Sequence, residues 1–511
     1  MAKVLVVGGA GYVGSASCAY LLDQGHDLVV LDDLSTGYRK LALGQHFYEG
    51  QAGDRSLVEK ILRDHQIECV MHFAAKSLVG ESVKKPQEYF DNNVVQTQTL
   101  LDAIQAAGVD KFIFSSTCAI FGDPGDRALD EHHPTNPLSP YGETKLEVEG
   151  ILAARAAQGL KSIALRYFNA AGADAQMRVG ECHEPETHLI PRILKSVRAG
   201  FPVQIFGTDY PTQDGTCVRD YIHVSDLAQA HEAAMRRLLE QNVSVGKFEA
   251  FNLGSENGYS VREIIAACEK AVGRSIEVVI QGRRAGDPPR LIAQAGLAKK
   301  QLGFKATHGL DSIVESAWLW EKKNSATLRK AVFLDRDGTI NDDPGYLSDP
   351  AQIRIFPYVA ESLAKLKQAG FLLIVVSNQS GVERGLIKES ELIAIHAEFN
   401  RKLGSASMID YFELCIHHPD SNCDCRKPKP KLIQDAARKY SIDLSRSFMV
   451  GDKISDVGAG RASQVQATVL VRTGSGVESE AYLKKGEASF TADSLREAAD
   501  WILKKSATSQ P

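Results

Sequence analysis

The stretch VLVVGGAGYVG, residues 4–14, runs from four apolar residues directly into Gly8, Gly9, Gly11 and Gly14. The apolar run reads as a buried strand, and Gly9-x-Gly11-x-x-Gly14 after it reads as a tight turn that opens a helix, here Tyr12, Val13 and onward. Glycines in that order let the backbone approach a pyrophosphate at the helix N-terminus, where unsatisfied N–H groups favour an anion. Asp32 and Asp33 close the next apolar run, LVVLDD. An acid about 20 residues beyond such a loop can bind the adenine ribose hydroxyls, which favours NAD over NADP. A glycine triad alone is equally a structural turn; strand, helix and acid together argue for a dinucleotide site.

Working outward, short apolar runs (KVLVV, DLVVLD, CVMHFA, KFIFSS) alternate with helix-length amphipathic stretches up to about Phe121. That alternation predicts repeated βαβ units and a parallel sheet with helices on both faces, an α/β Rossmann-type fold. Beyond residue 171 the texture becomes irregular and richer in Pro and Gly, as suits a substrate lobe. The polar stretch EKKNSATLRK (321–330) precedes a fresh strand, AVFLD, and a second α/β series with its own motifs. The expected organisation is therefore 1–325 (dinucleotide core 1–170, smaller lobe 171–325), a linker at 326–330 and a second Rossmann-like domain at 331–511.

The chain has 511 residues, 44% hydrophobic and 24% charged, with a formal charge of −5. No basic excess points to nucleic acid or a membrane surface, and no apolar run approaches the ~18 residues of a membrane span. Small-molecule substrates and a cytoplasmic location are expected, because the N-terminus lacks the h-region of a signal peptide.

SPYGETK places Tyr141 and Lys145 four residues apart, on one face of a helix. An ammonium beside a phenol favours the phenolate, which suits Tyr141 as a base near neutrality. FSSTCAIFGD, about 20 residues upstream, offers Ser115, Ser116 and Thr117 at a strand end.

With these residues the first 322 positions resemble the extended short-chain dehydrogenases, specifically the UDP-glucose 4-epimerase family. The matching stretches are HFAAKSLVGESV, YFDNNV, FSSTCAIFGD, SPYGETK, LRYFNAAG, IFGTDYPTQDGTCVRDYIHV, FNLGS and RRAGDPP. The resemblance implies that Tyr141 takes the proton from the sugar 4-hydroxyl as hydride passes to NAD, and that a 4-keto sugar turns over and is reduced on its other face. It further implies that Thr117 hydrogen-bonds the 4-oxygen, Lys145 also contacts the nicotinamide ribose, Asp54 lies near the adenine, and Asn92 helps hold NAD. Asn169, Arg219, Arg284 and Asp287 would contact the UDP-hexose. Leu291 falls where enzymes restricted to non-acetylated sugars carry a bulky Tyr, which leaves room for a 2-N-acetyl group. The family commonly forms homodimers. Tyr167 and Phe168 read equally as core.

In AVFLDRDGTI a strand ends in Asp335-x-Asp337-Gly338-Thr339. Two carboxylates at that spacing suit a nucleophile and an acid/base around Mg2+. Ser377 in VVSNQSG, Lys427 in CRKPKP, and Asp452 with Asp456 in MVGDKISD follow at later strand ends. This order resembles the haloacid dehalogenase superfamily, and within it the D-glycero-D-manno-heptose 1,7-bisphosphate 7-phosphatases, with histidinol phosphatases as relatives. The resemblance implies an aspartyl-phosphate on Asp335, with Asp337 protonating the leaving alcohol. Ser377, Asn378, Arg426 and Lys427 would meet the phosphorylated sugar, and Asp335, Asp337 (through its carbonyl) and Asp452 would hold Mg2+.

Cys415-x-His417-x5-Cys423-x-Cys425 offers three thiolates and one imidazole, which suit a closed tetrahedral Zn2+ site. A disulfide would leave one of these three cysteines over and suits a reducing compartment poorly. Members of the same phosphatase family carry a zinc loop there as a structural clip, and His418 is expected outside it. The combined expectation is a bifunctional enzyme serving surface-polysaccharide precursors, using NAD, Mg2+ and Zn2+. The competing readings are an N-acetylhexosamine epimerase joined to another small-phosphate phosphatase, or one half acting only as a binding module.

Overall fold

Strands β1 (Lys3–Val7), β2 (Asp27–Asp32), β3 (His46–Glu49), β4 (Cys69–His72), β5 (Lys111–Thr117), β6 (Lys161–Tyr167) and β7 (Phe248–Leu253) form one sheet in the order β7-β6-β5-β4-β1-β2-β3. Every neighbouring pair is parallel. In the computed structural model this sheet belongs to the first of two units, Met1–Lys323, and the second is Asn324–Pro511. All residues are described except 124, 126, 184–185, 200–201, 241–245, 284–286, 344 and 509–511.

Alternate residues of the central strands feed two separate cores. Val4, Val6, Leu28, Val30, Met71 and Ile113 pack on one face of the sheet, while Leu5, Val7, Val29, Leu31, Val70 and Phe112 pack on the other. Burial on both faces explains why the strands read as continuous apolar runs instead of alternating ones. β1 lies between β2 and β4, so the strand order reverses there, and the crevice beyond the carboxyl ends of β1 and β4 is where such sheets bind ligands. The glycine loop follows β1 at that point.

A smaller lobe is built around the strand Val218–His223, which pairs with Gly258–Ser260, Arg290–Leu291 and Asn169–Ala171. Of the stretch expected as a linker, only Leu328 and Arg329 lie between the helix Leu310–Thr327 and the next strand at Lys330.

The second unit has a six-stranded parallel sheet of β8 (Lys330–Leu334), β9 (Phe371–Asn378), β10 (Tyr411–Cys415), β11 (Phe448–Gly451), β12 (Ala467–Val471) and β13 (Phe490–Ala492). Its order is β10-β9-β8-β11-β12-β13. Val332 and Leu334 face one core, Ala331 and Phe333 the other. Asp335, Ser377 and Asp452 therefore emerge at the carboxyl ends of three adjacent strands. Among the described residues no helix is long and apolar enough to cross a membrane.

Candidate active sites

Helix α1 (Tyr12–Asp23) starts at Gly11, which supplies no side-chain cap, so the first amides of the helix keep no partner from that residue. A Cβ at Gly14 would stand 2.2 Å from the Gly8 carbonyl oxygen, so helix and turn approach as closely as they do only because position 14 is glycine. Gly8 adopts φ +84°, and Gly9 packs against Val30. Asp32 accepts hydrogen bonds from the Ala10 amide (2.9 Å) and the Leu34 amide (2.9 Å), which ties the loop to the end of β2. Burial nevertheless pushes its carboxyl above the usual carboxylate range. Asp33 instead holds an exposed turn, accepting from the amide and hydroxyl of Ser35. The Tyr12 hydroxyl donates to the Gly172 carbonyl at 2.6 Å, so this ring braces the lobe while its neighbour Val13 stays half-buried. The residues fit a dinucleotide: small turn residues, bare helix amides and an acid at the next strand end.

Asp54 caps the helix Arg55–Asp64 through the Leu57 amide (3.0 Å). Asn92 donates to Asn93, and Asn93 is the buried organiser of that π-helical turn. Its side chain bonds the Lys76 amide (2.8 Å), the Lys76 carbonyl (3.0 Å) and Thr144 (3.0 Å). Sequence reading missed Asn93, although the doubled Asn in YFDNNV marks it.

Tyr141 and Lys145 sit in the first turns of helix α2 (Pro140–Ala156), capped by Ser139. Burial raises the Tyr141 phenol well above its ordinary value; the neighbouring Tyr167 adds to this, and a hydrogen bond from Thr117 works against it. Thr117 Oγ1 accepts the Ala119 amide at 3.1 Å. Burial also brings the Lys145 ammonium down to about 7, with Glu149 opposing. Its Nζ donates to the Ser115 carbonyl at 2.8 Å and lies 6.0 Å from the Tyr141 ring centroid. Two residues unmarked in the sequence lock this helix. Glu149 accepts from Ser116 (2.5 Å) and receives Arg166 on both oxygens, Nε at 3.0 Å and Nη2 at 2.5 Å, all buried.

In the lobe, Asn169 donates to the Asp220 carbonyl at 3.0 Å. Arg219 pairs with Asp287 from 68 residues away, and Asp287 also meets the Cys217 thiol at 3.6 Å. Leu291 is the register partner of Arg219 and packs on the cluster of Cys118, Phe121 and Phe168. Arg284 lies outside the described residues.

In the second unit the Lys427 ammonium reaches Asp335 (2.8 Å), Asp456 (2.6 Å) and the Val376 carbonyl (2.7 Å). Asp335, Asp452 and Asp456, all buried, offer one oxygen each within 4.8 Å of one another. Burial, with the charge of Asp335 beside them, brings the Asp452 carboxyl up to about 7 and Asp456 up to about 6. Asp452 Oδ1 has no hydrogen-bond partner, and a Cβ at Gly338 (φ +85°) would stand 2.3 Å from Asp452 Oδ2. Three carboxylates, one with an orphan oxygen and seated against a glycine, are a donor set for a hard divalent cation.

Asp337 is the residue expected to offer a cation its carbonyl and to keep its carboxylate for acid/base work. Its carboxylate does not join that group; it takes Arg336 (2.9 and 2.7 Å), Asn341 (3.1 Å) and Gln379 (3.1 Å). Burial would raise its pKa, but the Arg336 guanidinium and these hydrogen bonds outweigh it and hold the carboxyl low. The third carboxylate is supplied by Asp456, on helix α3 (Ile454–Ala462). Ser377 accepts from Gln379 (2.9 Å), Asn378 holds the Lys427 backbone, and Arg426 keeps a buried Nη1 without a hydrogen bond, as a phosphate or sugar oxygen would require.

Cys415, His417, Cys423 and Cys425 converge. Cys415 Sγ lies 3.6 Å from Cys423 Sγ and 3.7 Å from His417 Nδ1, which is 3.2 Å from Cys425 Sγ, and Cys425 Sγ is 3.7 Å from Cys423 Sγ. Thiolates bound to zinc at ~2.3 Å would stand about 3.8 Å apart, whereas a disulfide needs about 2.05 Å. His418 instead receives the Asp420 amide on Nδ1 (3.2 Å).

Comparison with known proteins gives two family matches: the NAD dependent epimerase/dehydratase family over residues 4–254, and a HAD-hydrolase-like family over residues 424–498. A UDP-glucose 4-epimerase of Lactobacillus helveticus is 48% identical over 326 residues, 63% of this chain and 98% of its own length. The crystal structure of UDP-glucose 4-epimerase from Brucella ovis in complex with NAD is 44% identical with TM-score 0.60, covering 62% of this chain and 98% of that one. The UDP-Glc/GlcNAc 4-epimerase of Campylobacter jejuni is 36% identical with TM-score 0.55, covering 63% and 100%.

Proposed function

The chain belongs to the NAD-dependent epimerase/dehydratase family through its first unit, and on that premise we propose that it is a UDP-hexose 4-epimerase joined to a sugar-phosphate phosphatase. The arrangement that carries the first activity is Tyr141 and Lys145 in the first turns of one helix, with Lys145 Nζ 6.0 Å from the Tyr141 ring centroid and bonded to the Ser115 carbonyl near the strand end. NAD, held by the Gly8–Gly14 turn and the amides of α1, would supply a reversible hydride store at C4 of the sugar. The chain's own part is proton chemistry. The Tyr141 phenolate, stabilised by the Thr117 hydroxyl and by a charged Lys145, removes the 4-hydroxyl proton and returns it after the keto sugar has turned. Arg219 and Asn169 fit the UDP portion, the arginine matching diphosphate oxygens.

In the second unit, Asp335 would act as nucleophile toward phosphorus, and Lys427, 2.8 Å from it, would neutralise charge on the phosphoryl oxygens. Mg2+ held by Asp335, Asp452 and Asp456 would supply further positive charge there. Asp337 would serve as acid/base after turning away from Arg336. The four cysteine and histidine donors fit Zn2+ as a clip that fixes the backbone ahead of Lys427. Heptose bisphosphate is the substrate we favour, on the resemblance of the CDCRKPKP and SNQSGVERG stretches.

The decisive experiment is a pair of variants assayed for both activities. Tyr141→Phe abolishes epimerisation of UDP-glucose and spares phosphate release from heptose bisphosphate, and Asp335→Asn does the reverse. Loss of both activities in either folded variant would overturn the assignment.

A further inference from the structure

A third group of ligand-type side chains lies in the first unit and belongs to neither catalytic constellation. The stretch ECHEPETHL (181–189) falls where composition reads as irregular loop, yet Glu181, His183, Glu186 and His188 each turn one donor atom inward, all within 4.8 Å of one another. His183 Nδ1 is 3.2 Å and His188 Nδ1 2.5 Å from Glu181 Oε1, and His188 Nδ1 is 3.4 Å from Glu186 Oε1. Donors bound to zinc at ~2.0–2.1 Å stand about 3.3–3.4 Å apart in a tetrahedron; the 3.2 and 3.4 Å spacings match a ligand shell, while the 2.5 Å contact is a hydrogen bond that an entering ion would open.

Both carboxylates are 7% exposed. Glu186 Oε1 accepts the amides of Thr187 (2.9 Å) and His188 (3.0 Å), while its Oε2 is buried without a hydrogen bond. A buried carboxylate oxygen left in that state is costly and calls for a cation. Lys195 Nζ forms an ion pair with that oxygen at 3.6 Å, beyond hydrogen-bond reach, and donates to the His183 carbonyl at 3.0 Å. The Trp320 indole donates to the Glu181 carbonyl at 2.8 Å. The backbone is thus pinned at both residues, as a preformed site requires.

We propose that Glu181, His183, Glu186 and His188 bind one divalent transition-metal ion, with zinc the chemistry that two imidazoles and two carboxylates suit best. Both imidazoles bind through Nδ1 in neutral form, and a proton shared between Nδ1 and Glu181 is released to solvent as the ion enters. The ion braces the lobe against the dinucleotide core. The His183 ring meets Tyr12, the first residue of α1, edge to face at 6.3 Å.

The test uses the full chain, stripped with chelator, re-equilibrated with zinc in excess Mg2+ and analysed by atomic emission. Cys423→Ser with Cys425→Ser removes two of the three thiolates of the second unit's set. This double variant is expected to retain one zinc per chain, and adding His183→Gln and His188→Gln to take that to none. If the double variant, shown folded by its epimerase turnover, holds no zinc, or if the histidine substitutions leave its zinc in place, the proposal fails. A second measurement needs no variant: Co2+ added in excess Mg2+ to the stripped wild-type chain gives near-ultraviolet thiolate absorption for one equivalent and visible absorption alone for another. A single bound equivalent, carrying the thiolate band, would also overturn it.

Discussion

Asn378 grips Lys427 by both polar groups of its backbone: Oδ1 accepts the Lys427 amide at 3.0 Å, and Nδ2 donates to the Lys427 carbonyl at 3.2 Å. A side-chain amide that satisfies both groups sets where the ammonium begins its reach toward Asp335. Asn378→Ala is expected to lower phosphatase kcat by roughly 10- to 100-fold, the scale of a small misplacement of a reacting group, with epimerase turnover unchanged. Equal phosphatase rates in the two proteins would remove this role.

Thr117 opposes the rise that burial imposes on the Tyr141 phenol. Thr117→Val deletes that donor, so the phenol gives up its proton less readily. The acid limb of the epimerase pH profile then moves to higher pH, and turnover at neutral pH falls by about 10²-fold, as for other lost anion donors. Thr117→Ser restores both. The measurement is kcat against pH for the three proteins.

Lys145 yields a stability prediction with a definite sign. Below pH about 7 it carries its proton in both folded and unfolded chains. Above that, the folded cofactor-free protein gives the proton up while the unfolded chain keeps it to about pH 10.4, so the residue's contribution to stability rises with pH. Unfolding of the first unit, compared between wild type and Lys145→Met from pH 6.5 to 9, should show a difference that grows by up to ~1.4 kcal/mol per pH unit. A constant difference would contradict the depressed pKa.

Leu291 packs with Cys118 and Phe168 one residue from Thr117, opposite Arg219. Leu291→Tyr adds a ring and hydroxyl to that wall. The ratio of kcat/KM for UDP-N-acetylglucosamine over UDP-glucose is expected to fall by about 10-fold or more, the scale of a pocket that loses space for a few atoms. An unchanged ratio would place the acetyl group elsewhere.

Much of this architecture is legible in the sequence because it depends on local spacing. The glycine turn, the i,i+4 pair Tyr141 and Lys145, the strand-end Asp335 and Asp452, and the close cysteines need only the periodicity of a strand, a helix or a tight loop. What escapes is set by distant packing. Asp337 turns to Arg336 because a fully buried guanidinium needs a carboxylate, and nothing in DRDG states that this arginine is buried. Arg219 meets Asp287 only once two short strands pair. Glu149 looks like any helix-surface glutamate until β6 brings Arg166 beneath it. The 181–188 donors lie in a loop with no periodicity to read.

Asp32 carries a consequence for redesign of coenzyme choice. The customary route toward a phosphorylated ribose is to delete the acid at the end of the second strand and install a cationic side chain. Here that acid already receives the amides of Ala10 and Leu34. Deleting it would release the Gly8–Gly14 turn, the proposed seat of either coenzyme's pyrophosphate. Asp33, whose bonds are confined to Ser35 in an exposed turn, can be exchanged without unfastening that turn. An engineer seeking to retune this protein should therefore start one residue later than the usual recipe directs.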